Sequence, residues 1–283
     1  MSFQKHVFID NTSIYKSKKN DLTLCICLGK NYIQYLFYQI CTKKIYYLCS
    51  LLSEKSIVNN EQIEPILNHQ LLKYCDKVYI VYDQIKNTLV PLPIYSKQHQ
   101  SLYFQHTHDI ENDEHLLTQI PRENMVELFA IKKTSEKYFK ETFPNTHFLS
   151  LSACLLNSYF ELVKNQFHTI YTLFLNCTEN TLYLTLFKYK ELHYHFCFEL
   201  ESAEDALYHL LNLLHTKNVK ISEANFILSG FCSYQNEIAD LLQTYFSIQT
   251  FNQNMISDEL INEKEDFPIH ILFNLYSILR CVS

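Results

Sequence analysis

The chain has two glycines in 283 residues, Gly29 and Gly230. Phosphate loops of the G-x-x-x-x-G-K-[ST] type need glycine where backbone N–H groups must reach a ligand without a Cβ in the way. That pattern is absent, as are G-x-S-x-G and H-E-x-x-H, so the P-loop, hydrolase-elbow and zincin readings lack support. No window approaches the ~18–20 apolar residues of a membrane helix, and direct membrane insertion is not expected. The polar opening stretch, MSFQKHVFIDNTSIYKSKKN, has no apolar h-region. Positive charge is not in excess, with 24 Lys and Arg against 30 Asp and Glu and a net charge of −6. This argues against a general binder of nucleic acid or anionic membrane. None of the ten cysteines forms a C-x-x-C pair, and most sit in apolar runs. They are expected as reduced, buried thiols of a cytoplasmic protein rather than a disulfide frame.

What is abundant is core material. Apolar residues make up 47% and aromatics 14% of the chain, with 21 Tyr and 20 Phe, enough to exclude disorder. Three strand-like runs open the pattern at Leu22–Leu28, Tyr32–Ile40 and Lys44–Leu52. Helical spacing follows over Glu61–Tyr74 (Ile63, Ile66, Leu67, Leu71), then a buried strand at Lys77–Tyr82. The second half repeats the order. Strands are predicted at Thr169–Leu175, Thr181–Lys188 and Leu192–Leu200, and a helix at Ala203–His215 with Ser202 as its N-cap. A strand at Ala224–Ser229, a helix over Glu237–Tyr245 and a strand at Ser247–Phe251 complete it. The turns at Gly29 and Thr178 lie about 150 residues apart, as do the strands after the first helices, which predicts two α/β domains. An excursion from about Gln84 to Thr146, holding LVPLPIY (89–95), SLYFQHT (101–107) and MVELFAIKKTSEKYFKETF (125–143), interrupts the first. The chain closes with Pro268 and an apolar helix, Ile269–Cys281.

Three turns carry the functional question. The first hairpin reads Cys27-Leu28-Gly29-Lys30-Asn31, and the second Asn176-Cys177-Thr178-Glu179-Asn180-Thr181-Leu182-Tyr183. A later strand ends in Ile227-Leu228-Ser229-Gly230-Phe231. In this order they resemble the actin-like ATPase superfamily, which includes actin, sugar kinases and the cell-division protein FtsA. The layout is similar to the PilM and GspL type of pilus and secretion assembly proteins. LVPLPIY, FAIKKTSEKYF and FLSLSACLLNSYF further resemble a family of uncharacterised bacterial proteins with this fold. The resemblance implies an α/β fold of duplicated actin-like ATPase (ribonuclease H-like) domains with an inserted small α+β subdomain. It divides the chain into a polar N-terminal segment at 1–20, a first domain at 21–165 with its insert at about 84–145, and a second domain at 166–283.

In that superfamily both hairpins carry Asp-x-Gly and the later strand ends in Gly-Gly. Here Cys27 and Asn176 stand where Asp is expected, Thr178 where Gly is expected, and Phe231 in place of the second Gly. A neutral amide supplies no negative charge to a divalent cation, and a thiol is a poor partner for Mg²⁺. The resemblance therefore implies a vestigial nucleotide cleft at Gly29, Lys30, Asn176, Thr178 and Gly230, with no catalytic residue, no metal and no cofactor, ATP included. The function it implies is a catalytically eroded scaffold with a protein or peptide partner and no nucleic-acid partner. The alternative is a divergent nucleotide-binding switch or kinase in which Lys30 meets a phosphate as a point charge.

Other clusters have plainer readings. His106, His108 and His115 with Asp109, Asp113 and Glu114 suggest a metal loop, but incidental histidines in an acidic loop are the expectation. His193 and His195 are expected on the exposed side of a strand, and Cys25 and Cys27 as core thiols. Tyr32, Tyr35, Phe37, Tyr38, Tyr46 and Tyr47 form either an interaction surface or a layer of rings covering the sheet with hydroxyls in water. The latter is expected. Lys16–Lys19 is expected as a basic tip.

Overall fold

The computed structural model describes residues 4–15, 21–53, 63–122, 124–165, 169–232, 235–252 and 269–282. The Lys16–Lys19 cluster and Pro268 lie outside them. The described residues divide into two compact units, one within 4–154 joined by Val282, the other within 155–252 joined by 269–281.

In the first unit the elements run β1 (Gln4–Asp10), β2 (Leu22–Leu28), β3 (Tyr32–Gln39), β4 (Lys44–Leu52), α1 (Glu64–Leu67) and β5 (Cys75–Tyr82). They continue with β6 (Asn87–Pro91), α2 (Gln100–Gln105), β7 (Glu114–Arg122), β8 (Met125–Lys132), α3 (Lys133–Thr142), β9 (Thr146–Ser150) and the start of α4 (Leu151–Asn165). The main sheet has the order β1-β4-β3-β2-β5-β9. Its meander β2–β4 is antiparallel, and β5 and β9 add in parallel to β2 and β5. One face buries Leu24, Ile26, Tyr35 and Phe37 against Ile66, Phe139 and Phe143. So α3, reached after the excursion, packs on the main sheet. The excursion itself makes a separate antiparallel sheet, β6-β8-β7, with a small core of Val90, Phe104, Leu116, Leu128 and Ala130.

The second unit follows with β10 (Tyr171–Cys177), β11 (Thr181–Lys188), β12 (Glu191–Glu199), α5 (Ala203–Thr216), β13 (Ala224–Gly230), α6 (Gln235–Gln243), β14 (Ile248–Thr250) and α7 (Ile269–Val282). Its order, β12-β11-β10-β13-β14, reproduces β4-β3-β2-β5-β9 strand for strand. Leu173, Leu175, Leu182 and Leu184 pack against Ala206, Leu210, Leu213, Ile238 and Leu242 of α5 and α6. On the opposite face the Phe174 ring stacks on Tyr159 of α4 at 4.2 Å, and Tyr159 on Phe273 of α7 at 5.4 Å. Both faces are covered, which is why β10 and β11 are buried along nearly their whole length rather than at alternate residues. Ser202 caps α5 as the sequence suggests, accepting from the Asp205 N–H at 3.3 Å while Asp205 Oδ2 accepts from the Ser202 N–H at 2.9 Å. Such a capping box satisfies two orphan donors and contributes about 1 kcal/mol.

Two elements differ from the sequence expectation. Gln4–Asp10, inside the expected polar segment, is an edge strand on β4. Of its two aliphatic side chains only Ile9 is buried, while Val7 is exposed, so the stretch carries little of the apolar signal of a strand. The helix expected over 61–74 is limited, among the described residues, to the single turn of α1 and a 3-10 turn at Leu72–Tyr74. At the break the His69 ring takes the Leu71 N–H at 3.3 Å, which replaces a helical bond with a local one.

Candidate functional site

The first turn is closed over itself. Gly29 donates its N–H to the Tyr32 carbonyl at 3.0 Å. The Tyr32 ring lies directly over Gly29, so a Cβ there would sit 2.1 Å from Cε1 of the ring. Gly29 thus makes room for an aromatic side chain of its own hairpin. The Tyr32 hydroxyl donates to Asp83 Oδ2 at 2.7 Å and stands 3.8 Å from Cys27 Sγ. Asp83 follows β5 directly, is 7% exposed, and donates its N–H to the Leu28 carbonyl at 2.8 Å. Burial, reinforced by the Asp83 charge, pushes the Cys27 thiol far above the thiolate range. Lys30 is exposed at the tip of the turn. Sequence reading missed Asp83; its only signal was a carboxylate ending the apolar run Val78–Tyr82.

The second turn is closed by its own threonine. Thr178 is fully buried, and its N–H goes to the Thr181 carbonyl at 2.8 Å. Its hydroxyl accepts the Thr181 N–H at 3.2 Å, so the side chain fills the concave side of the hairpin. Asn176, also fully buried, donates Nδ2 to Ser229 Oγ at 3.0 Å across the β10–β13 pair, and its Oδ1 has no hydrogen-bond partner among the described residues. Glu179, the carboxylate of this turn, is buried as well. Gly230 has φ +100°, and a Cβ on it would lie 2.0 Å from the Cys177 carbonyl oxygen. That same oxygen accepts the Phe231 N–H at 2.8 Å. The Cys177 thiol is pushed up by its contact with the Cys232 thiol and then by burial.

A common pattern emerges from the two units taken separately. The N–H groups of Gly29, Thr178 and Phe231, at the ends of these turns, each bond a carbonyl of the protein. Asn176, Thr178 and Gly230 come together in the second unit, and Gly29 and Lys30 in the first.

The remaining clusters sort as follows. His106 is the exposed C-cap of α2, so it shares no strand face with His108. His108 Nε2 lies 2.9 Å from the Asn87 carbonyl, and His115 Nδ1 is 2.8 Å from Glu136 Oε2. Among the described residues no group of three His, Cys, Asp or Glu could hold a metal ion. His193 is exposed, but His195 is half-buried, contrary to the expectation for that pair. Its Nδ1 lies 2.8 Å from Thr185 Oγ1, and burial drives its pKa down to about 3. Cys25 and Cys27 are core thiols. Apart from the half-buried Tyr46, the aromatic run is neither a surface nor a wetted layer. Tyr35 and Tyr38 are fully buried to the hydroxyl, and Tyr32, Phe37 and Tyr47 are buried with them.

The family model described as "Protein of unknown function (DUF3822)" matches residues 10–248. Among solved structures, a Bacteroides thetaiotaomicron protein with actin-like ATPase fold and unknown function superposes with a TM-score of 0.72 at 20% identity, covering 97% of this chain and 99% of that one. The PilM–PilN type IV pilus biogenesis complex includes a chain similar to this one with a TM-score of 0.55 at 12% identity, covering 90% and 98%. No curated protein matches the sequence. The fold is that of the actin-like ATPases.

Proposed function

For a chain that belongs to the DUF3822 family and has the actin-like ATPase fold, we propose a catalytically eroded, cytoplasmic scaffold that binds a protein or peptide partner. The observation that carries this reading is the internal closure of the turns. Mg·ATP on this fold requires free backbone donors for its phosphates and carboxylates for the ion. Here the Tyr32 ring covers Gly29, the Thr178 side chain fills the second hairpin, and the N–H groups of Gly29, Thr178 and Phe231 are already bonded. Cys27 and Asn176 bring no charge, and Asp83, a carboxylate beside the first turn, is held by Tyr32. The residues present do not fit Mg·ATP bound in the manner of the superfamily.

The partner side of the proposal draws support from two directions. A chain of the same fold, PilM, occurs in a complex with PilN. In the insert, Ile85, Leu92, Ile94, Leu102 and Ile120 are large apolar side chains exposed to solvent. Removing apolar area of that kind from water is the usual source of binding energy at a protein interface. Among the described residues no helix is long and apolar enough to cross a membrane. The test is cross-linking and co-purification of the full chain against an Ile94→Asp, Leu102→Asp variant. Loss of a specific partner with the fold retained is the expected result, and full retention of every wild-type partner rejects the insert as the docking surface.

A second reading, a nucleotide-binding switch or kinase, is favoured by Lys30 exposed at the tip of the first turn with Asp83 behind it. In this reading Gly29, Lys30, Asn176, Thr178 and Gly230 contact nucleotide after the turns reopen. Nucleotide-dependent thermal stabilisation separates it from the first.

A further inference from the structure

The inserted sheet carries a carboxylate where a hydrophobic side chain would be ordinary. On β8, Val126, Leu128 and Ala130 point to one face, and the last two join the small core of the insert. Glu127 points the other way and is fully buried. The groups it meets belong to the junction of β9 with α4. Ser150 donates its hydroxyl to Glu127 Oε1 at 2.5 Å, and Ser152 donates to Oε2 at 3.1 Å. Directly across the ladder from Glu127, Gln119 of β7 accepts the Ser150 N–H at 2.8 Å and approaches Cys154 Sγ at 3.9 Å. Ser150, Ser152 and Cys154 are themselves buried. Two adjacent strands of the insert therefore grip one strand–helix junction through polar side chains.

Among the described residues no cation is hydrogen-bonded to this carboxylate. From β8 itself Lys132 is exposed at the far end. On β7, Glu114 pairs with Lys86, His115 with Glu136, and Arg122 lies at the end of the strand opposite Met125. On β9, His147 stacks on Tyr79. On α4, Cys154 meets Gln119, while Glu161 approaches Arg280 at 4.0 Å and Lys164 belongs to the last turn. Two hydroxyl donors are thus the partners of a carboxylate removed from water. A charged carboxylate in such a place is costly, whereas the protonated acid keeps both contacts without the charge, one serine hydroxyl turning to accept its proton.

We infer that Glu127 is a proton-controlled latch, closed when the carboxyl is protonated, that holds the inserted sheet to the β9–α4 junction and weakens as the proton leaves. The inference goes beyond the scaffold reading and does not depend on it. In line with the geometry, desolvation raises the Glu127 pKa from its ordinary 4.5 to about 7, with the two serines acting in the opposite direction. The raised value belongs to the closed latch, so closure is favoured in acid and declines as pH rises through about 7.

The experiment is hydrogen–deuterium exchange of the full chain at pH 6 and pH 8, corrected for intrinsic exchange rates. The segments to follow are 114–132 and 146–156, with 171–188 as reference. If opening returns Glu127 to water, the opening constant of the first two segments rises about tenfold between these pH values. In Glu127→Gln, a neutral isostere that retains an acceptor and adds a donor for the serines, that rise disappears. Equal protection at both pH values in the wild type overturns the inference, as does an undiminished rise in the variant. Should the variant fail to fold, the ¹³C shift of the Glu127 carboxyl in the wild type decides. A midpoint close to 7 supports the latch, and one near 4.5 refutes it.

Discussion

Replacing Gly230 by alanine tests whether this glycine is explained by the protein's own backbone. Its φ of +100° lies outside the region L-residues favour, and its Cβ position is 2.0 Å from the Cys177 carbonyl oxygen. A residue in such a sparsely populated region costs about 1–3 kcal/mol. The carbonyl must also retreat by about 1.4 Å to reach an ordinary contact of 3.4 Å, and it holds the Phe231 N–H at 2.8 Å. Leaving a buried backbone group unsatisfied adds about 1–3 kcal/mol. The loss should therefore total about 2–6 kcal/mol, above the sub-kilocalorie change of an unconstrained glycine. Urea denaturation followed by far-UV circular dichroism reads it, with exchange in 171–188 showing that the second unit is the part affected. Gly29→Ala is the control. Its added methyl meets the ring of Tyr32 rather than backbone, so the ring can swing aside at the expense of the Tyr32–Asp83 hydrogen bond, about 1–3 kcal/mol. A Gly230→Ala protein within 1 kcal/mol of wild type would refute the reasoning.

Ser202→Ala removes the cap of α5 and should cost about 1 kcal/mol, seen as a fall in Tm of a few degrees. His195 and Glu127 make opposed contributions to the pH dependence of stability. His195 is held neutral, with its folded pKa pushed down to about 3, so its contribution is complete above the ordinary value of 6.5 and is lost as pH falls toward 3. Glu127, with its folded pKa raised to about 7, contributes most below 4.5 and loses that contribution as pH rises through 7. His195→Gln should therefore flatten the acid side and leave stability declining with rising pH between 4.5 and 7. A thermal-melt series across that range reads the slope, and an unchanged acid limb contradicts the assignment.

The strands legible in the sequence were those with apolar side chains on both faces. Leu22–Leu28, Thr181–Lys188 and the meanders around them carry enough Leu, Ile, Phe and Tyr to declare themselves, and Ser202 with Asp205 three residues on marks a helix start. Two such meanders, each followed by parallel strands, made the actin-like architecture readable. Failure came where a tertiary contact decides. An edge strand such as β1 needs a partner for one side only and little apolar surface, so Gln4–Asp10 resembled a loop. Residue types at the turns were visible, but which N–H Thr178 or Gly29 would occupy was not, because that depends on hairpin closure. Glu127 lay in the apolar run MVELFAIK, and only the packing of β9 and α4 against that face reveals it as buried. His195 was misjudged for a similar reason, since Thr185 and Tyr183 on the neighbouring strand cover it.

The central claim is that the phosphate turns of this actin-like fold are closed to nucleotide. Calorimetric titration of the folded full chain with ATP and ADP, each with and without Mg²⁺, tests it most directly. The account predicts no saturable heat up to nucleotide concentrations of about 1 mM, a binding free energy weaker than roughly −4 kcal/mol. Saturable, Mg²⁺-dependent binding tighter than that would contradict it and place the chain among the nucleotide-driven members of its fold.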